Sequence, residues 1–171
     1  IQIQKEPIDW FLDLLAVLSM IAMVVLLIKF YPILPDTIPH HYGLDGQPDR
    51  FGHKGIIFTL PIIGFFLFVG MTWLASVPHV YNYPGKITPD NAEGQYRLGA
   101  RFIRFLNAAI VATFAYLTYS TILSAVNNGG ESGPGIWFLP VFLGTIFGSI
   151  GLYLYLASRK KHQPYQATGV S

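Results

Sequence analysis

Cysteine is missing from all 171 residues, which removes disulfides, thiolate-bound zinc, iron–sulfur clusters and covalently attached c-type haem. Charge is scarce too. Asp, Glu, Lys and Arg make up 12% of the chain, about half the usual share in soluble proteins. The net charge of +2 is too small to suggest a nucleic-acid partner. No charged residue falls near the centre of a long apolar run, which argues against a proton pump or ion-coupled transporter. All five histidines lie outside those runs, which argues against a haem held between two membrane-buried imidazoles. There is no His-Glu-x-x-His, no Gly-x-Ser-x-Gly elbow and no phosphate-cradling glycine loop, so no catalytic residue is nominated and no cofactor is expected. A divalent metal is the one exception weighed below.

What is present is apolar. Hydrophobic residues make up 52% of the chain and aromatics 15%, the composition of a protein surrounded by lipid. Crossing a hydrocarbon core of about 30 Å takes about 20 apolar residues in a helix. Four segments meet that length, at about 10–31, 55–75, 105–123 and 136–157. The expected fold is an all-α membrane protein, a four-transmembrane-helix bundle of residues 1–160 with a structured extracytoplasmic loop between its first and second helices, followed by a loose tail at 161–171. The flank before the first segment, "KEPIDWFLD", is acidic and no small-x-small site follows the run, so it reads as a retained span rather than a signal peptide. The chain begins at Ile1 rather than methionine, and the N-terminus is expected to be processed or to extend further.

The basic residues suggest an orientation. With both termini cytoplasmic, the inner flanks hold eight (Lys5, Lys86, Arg97, Arg101, Arg104, Arg159, Lys160 and Lys161) and the outer flanks three (Lys29, Arg50 and Lys54). Trp10, Phe11, Trp73 and Tyr155 then lie at the inner headgroup level, and Tyr31 and Trp137 at the outer one.

Before the third span, "TPDN" predicts a helix start with Thr88 as N-cap and Pro89 at the first position. An amphipathic portion at about 89–104 would follow, with Gly94 and Gly99 as bends. The stretch from His79 to Lys86 reads as a loop. Pro61 and Pro140 lie a turn or two inside their helices, where kinks are expected.

Three groups of residues are candidates for function. His41, Asp45, Asp49 and His53 in "LPDTIPHHYGLDGQPDRFGHK" are of the right types for a nitrogen-and-oxygen metal site. The spacing favours a plainer reading, a proline-braced connector with a tight turn at "GLDGQPD". Arg97, Arg101 and Arg104 share one side of a helix entering the inner leaflet. Anionic headgroups account for such a stripe; an acidic partner, or pairing with Asp9 and Asp13 one turn apart on the first helix, would use the same face. Small residues form stripes on the fourth helix (Gly144, Gly148, Gly151) and the third (Ala108, Ala112, Ala115). In lipid such faces let helices approach closely. Contact within the bundle is the leading reading, and another membrane subunit or self-association the second.

Two blocks carry a resemblance. Leu34-Pro35, Ile38-Pro39, His41, Gly46, Asp49 and Lys54, just after a first transmembrane helix, together with Asn82-Tyr83-Pro84, Ile87-Thr88, Asn91-Ala92, Gln95-Tyr96 and Arg97, resemble the bacterial membrane family catalogued as domain of unknown function 1648. That family also forms the N-terminal part of SdpI-type bacteriocin-immunity proteins. The resemblance implies a small multi-helix protein of the bacterial cytoplasmic membrane. It carries over no catalytic residue. The chain is expected to be shorter than SdpI-type proteins and without their further C-terminal helices, so a non-enzymatic binding or accessory subunit of a membrane assembly leads, with SdpI-type immunity or signalling as the alternative.

Overall fold

The computed structural model describes residues 3–127 and 133–159. The expected tail at 161–171, with Lys160 and Lys161, lies outside them. Four helices are long and apolar enough to cross a membrane. Helix α1 covers Pro7–Phe30 and runs into a 3-10 turn at Tyr31–Ile33. A 3-10 helix at Lys54–Phe58 leads into α2, Thr59–Ser76. Helix α3 is Ala92–Val126 and α4 is Phe138–Arg159.

The all-helical expectation needs one amendment. Between α1 and α2, strands β1 (Thr37–Tyr42) and β2 (Pro48–His53) form an antiparallel hairpin. Its register shifts at His40 and again between His41 and Tyr42, the irregularity of a bulge. The turn is built from the "GLDG" residues. The Asp45 carboxylate accepts the Gln47 N–H at 3.0 Å, and Gly46 adopts φ +78°, a conformation that costs other L-residues energy. Ile38, fully buried, seats β1 on Leu27, Leu34, Ile57, Ile122 and Ala125.

Helix α3 is the hub on which α1, α2 and α4 each pack. Its 35 residues extend about 52 Å at 1.5 Å per residue, well beyond a hydrocarbon core of about 30 Å.

The helix starts differ from expectation in ways the backbone explains. Thr88 does not cap α3. It opens a turn in which the Asn91 side-chain oxygen accepts the Thr88 N–H at 2.9 Å and the Ala92 N–H donates to the Thr88 carbonyl at 2.9 Å. Pro89 and Asp90 occupy the centre of that turn, where proline's fixed φ fits, and the helix begins at Ala92 with Asn91 as its cap residue. Pro61 and Pro140 are third residues of α2 and α4. Their missing N–H thus falls within the first turn of each α-helix, where proline is tolerated best. Gly99 serves close approach: a side-chain carbon on it would lie 3.0 Å from the Tyr83 hydroxyl and 3.1 Å from the Tyr81 ring.

Candidate functional site

At the end of the molecule where α1 and α3 begin, the arginine stripe is consumed internally. Arg97 pairs with Glu6 and, at 2.6 Å, with Glu93; Arg101 reaches Glu6 at 2.6 Å and Asp9 at 3.0 Å; Arg104 meets Asp13 at 3.4 Å. Lys5 adds a pair with Asp13 at 2.7 Å. Four cations therefore face four carboxylates, the internal pairing weighed for this stripe. The partners advance together along both helices, from Glu6 to Asp13 and from Arg97 to Arg104, as two parallel helices require. Asp9 also closes the start of α1 by accepting the Glu6 N–H at 2.9 Å, a variant of the capping box. Donation from Arg101, then from Arg97, holds the Glu6 carboxyl below its ordinary range.

The loop between α2 and α3 braces this end. Tyr81 donates to the Leu74 carbonyl at 2.7 Å and Tyr83 to the Pro78 carbonyl at 2.8 Å, each a second bond to a carbonyl that also accepts a backbone N–H, from Val77 and Tyr81 respectively. Burial pushes the Tyr81 phenol up to about 12. Gln95 donates to the Ala157 carbonyl at 2.9 Å and ties the last turns of α4 to α3. Composition offered no sign of these tyrosine and glutamine roles, because each partner is a backbone carbonyl distant in sequence or fixed by loop shape.

At the hairpin end the four nominated metal ligands do not converge. His41 Nδ1 and Asp49 Oδ1 meet at 2.5 Å across the strands. Asp45 is engaged in the turn, and His53 accepts the Gly55 N–H at 3.1 Å. No three histidine or acidic side chains among the described residues are grouped as a metal site. Lys54 fastens the hairpin base, pairing with Asp36 at 3.1 Å while lying over the Tyr31 ring. The tip rests on the segment before α4: a side-chain carbon on Gly46 would lie 2.5 Å from the Gly135 backbone.

Beneath β1, where the strand spans the start of α2 and the far turns of α3, lies a cavity of about 300 Å³. Its walls are mainly aliphatic, with Leu60 and Leu117 among them, and its polar groups include the hydroxyls of Tyr42, Thr59, Thr118 and Thr121. Tyr42 and Thr121 hydrogen-bond at 3.0 Å. The Thr118 hydroxyl, on a side chain only 1% exposed, has no partner among the described residues. The sequence analysis nominates none of these residues, because β1 meets the far turns of α3 only through the fold: Tyr42 and Thr121 are 79 residues apart.

The small-residue stripes part company. Ala108 is buried against Leu12 and Ala16 of α1, and Ala112 lines a groove of about 480 Å³ between α3 and α4; Ala115 is half-buried on the same helix. Gly144, Gly148 and Gly151 are exposed, and among the described residues nothing lies within 4 Å of the position a side-chain carbon would take. The leading expectation for the glycines, contact within the bundle, is not what the structure places there.

With four candidate spans, the chain has the helices of a multi-pass membrane protein. Residues 18–65 match the sequence profile of the family "Domain of unknown function (DUF1648)", a stretch from mid-α1 through the hairpin into α2. An uncharacterized protein of Archaeoglobus fulgidus is 36% identical over 53 residues, 28% of this chain and 29% of the relative. The match thus spans less than a third of that relative's length. No solved structure matches.

Proposed function

We propose that this chain is a non-enzymatic binding or accessory subunit of a membrane assembly, with both termini cytoplasmic and the hairpin on the outer side of a bacterial inner membrane. One observation supports the assembly reading: α4 packs mainly on α3, and among the described residues nothing lies against the side-chain positions of Gly144, Gly148 and Gly151. In lipid there is no ordinary hydrophobic force between helices, and small-residue faces are where backbones approach closely. Native mass spectrometry from lipid nanodiscs is the test. Wild-type protein is expected in a complex with another subunit or a second copy, and Gly148→Leu as a monomer. A wild-type monomer under every mild condition ends the proposal. For the orientation, an external thiol reagent should label Asp45→Cys in intact cells and spare Asp90→Cys.

A second reading, SdpI-type immunity or signalling, is favoured by the profile match falling on the hairpin and both its flanking helices. Deleting the gene without changing toxin sensitivity or expression of neighbouring genes would remove it.

A further inference from the structure

Single exposed apolar side chains are common on any protein surface, so at the hairpin end their position relative to the spans matters more than their exposure. Helix α4 has 22 residues, about 33 Å at about 1.5 Å per residue, close to the hydrocarbon thickness of about 30 Å. Its first turn therefore marks one boundary of the apolar layer. Trp137, 75% exposed, stands immediately before that turn, where indole rings favour the headgroup level. At the hairpin base the same level is marked by Tyr31, with the Lys54 ammonium 5.6 Å over its ring, and by Lys29 over the Phe30 ring at the last turn of α1. A lysine at a span end extends its charge toward the polar layer.

Both ends of the hairpin are thus tied to span ends on one side of the membrane. Strands of six residues reach about 20 Å at about 3.3 Å per residue. A hairpin standing upright on the ends of α1 and α2 would carry its tip that far into water. Instead the tip meets Gly135, three residues before α4, and Leu44 and Gly46 share the wall of a cleft of about 230 Å³ with Phe138 and Leu139 of the first turn. The hairpin consequently runs across the span ends, within a headgroup layer about 6 Å thick on each side. Leu44 at its tip is 82% exposed and Phe51 on β2 is 52% exposed. Its charges suit that layer as well: Lys54 pairs with Asp36 and His41 meets Asp49, and the long stem of Arg50 can carry its head to water.

We propose that the hairpin is an interfacial anchor, lying in the headgroup layer with Leu44 and Phe51 inserted at the level of the acyl esters of the surrounding phospholipids. The partner it fits is the lipid surface itself. Apolar side chains presented to this layer bind it in proportion to the area they bury, so the hairpin sets the depth at which α1 and α2 sit. The inference needs only that the helices span the membrane; it is independent of which side the hairpin occupies and of any subunit on α4.

The wild-type chain in nanodiscs containing a phosphatidylcholine with a diazirine beside one acyl ester provides the test, adducts being mapped by mass spectrometry after illumination. Trp137 is the internal reference for headgroup depth. Adducts on Leu44 and Phe51 at yields comparable with Trp137 are expected; labelling of Trp137 with none on either residue overturns the proposal. Because the chain holds no cysteine, Leu44→Cys and Phe51→Cys can each carry a single nitroxide for a second measurement. In power-saturation EPR both labels should relax more with oxygen, which concentrates in lipid, than with a water-soluble nickel chelate. Greater access to the chelate places the hairpin in water, and exclusion of both reagents places a protein over it; either result overturns the proposal.

Discussion

Where α1 and α3 begin, four ion pairs join them, and Asp9 lies buried against Arg101. About thirty ångströms further along, at about 1.5 Å per residue from Asp9 to Leu27 and from Arg101 to Ile122, the same two helices meet under a hairpin. There the contacts are aliphatic packing around Ile38, one hydroxyl pair and the approach of Gly46 to the Gly135 backbone. The first end is a latch of matched charges with fixed geometry. The second is held by packing. The difference teaches what fixes each end: buried charges must be matched partner by partner, whereas aliphatic side chains need only fill a common shape.

Breaking the latch should have the largest effect. Arg101→Leu strands the buried Asp9 carboxylate, and loss of one partner of a buried pair costs about 3 kcal/mol. Thermal unfolding in detergent followed by circular dichroism should show a lower Tm, with Asp9→Asn in the same chain recovering part of it. At the other end, Gly46→Ala must hold a left-handed φ against a backbone 2.5 Å away, a cost of about 2 kcal/mol. Hydrogen exchange should report it as faster opening of residues 37–53, with the arginine end unchanged. Tyr42→Phe removes the bond to Thr121 at 3.0 Å, worth about 1 kcal/mol, and should open the hairpin less.

Acid should weaken the latch. The Glu6 carboxyl is lowered in the folded chain by Arg101 and Arg97, so its contribution is fully present above its ordinary value of 4.5. That contribution is lost as pH falls through the lower folded-state value. Because the side chain is 40% exposed, solvent screening keeps the effect below that of Tyr42→Phe; Tm measured against pH should flatten in Glu6→Gln. The smallest effect is expected at His41 and Asp49, a pair about half exposed on both sides. His41→Ala should cost about 0.5 kcal/mol, and added zinc should leave the wild-type Tm unmoved.

The resemblance blocks show how far local chemistry reaches. Leu34 and Ile38 are buried seats of the hairpin, Gly46 is its turn, His41 and Asp49 pair across it and Lys54 holds its base. In the second block Tyr83, Asn91, Gln95 and Arg97 each close a turn, a helix end or an ion pair. These residues were visible as a set before any job could be given to them. The metal reading of His41, Asp45, Asp49 and His53 met the same obstacle: residue type suggests a ligand, but the strand register at Pro39, His41 and Tyr42 governs which side chains meet.

By itself the sequence determined the four long apolar helices, the absence of cysteine chemistry, the charge-free span centres and an arginine stripe facing one way. Each of these follows from composition and from periodicity within a single segment, where the physics is local. Only the tertiary structure decided that the stripe would be neutralised by Glu6, Asp9 and Asp13, that the glycines of α4 would face outward, and that a strand would enclose Thr118. Those outcomes depend on which faces of distant segments come into register, and that is a property of the packed chain rather than of any stretch of it.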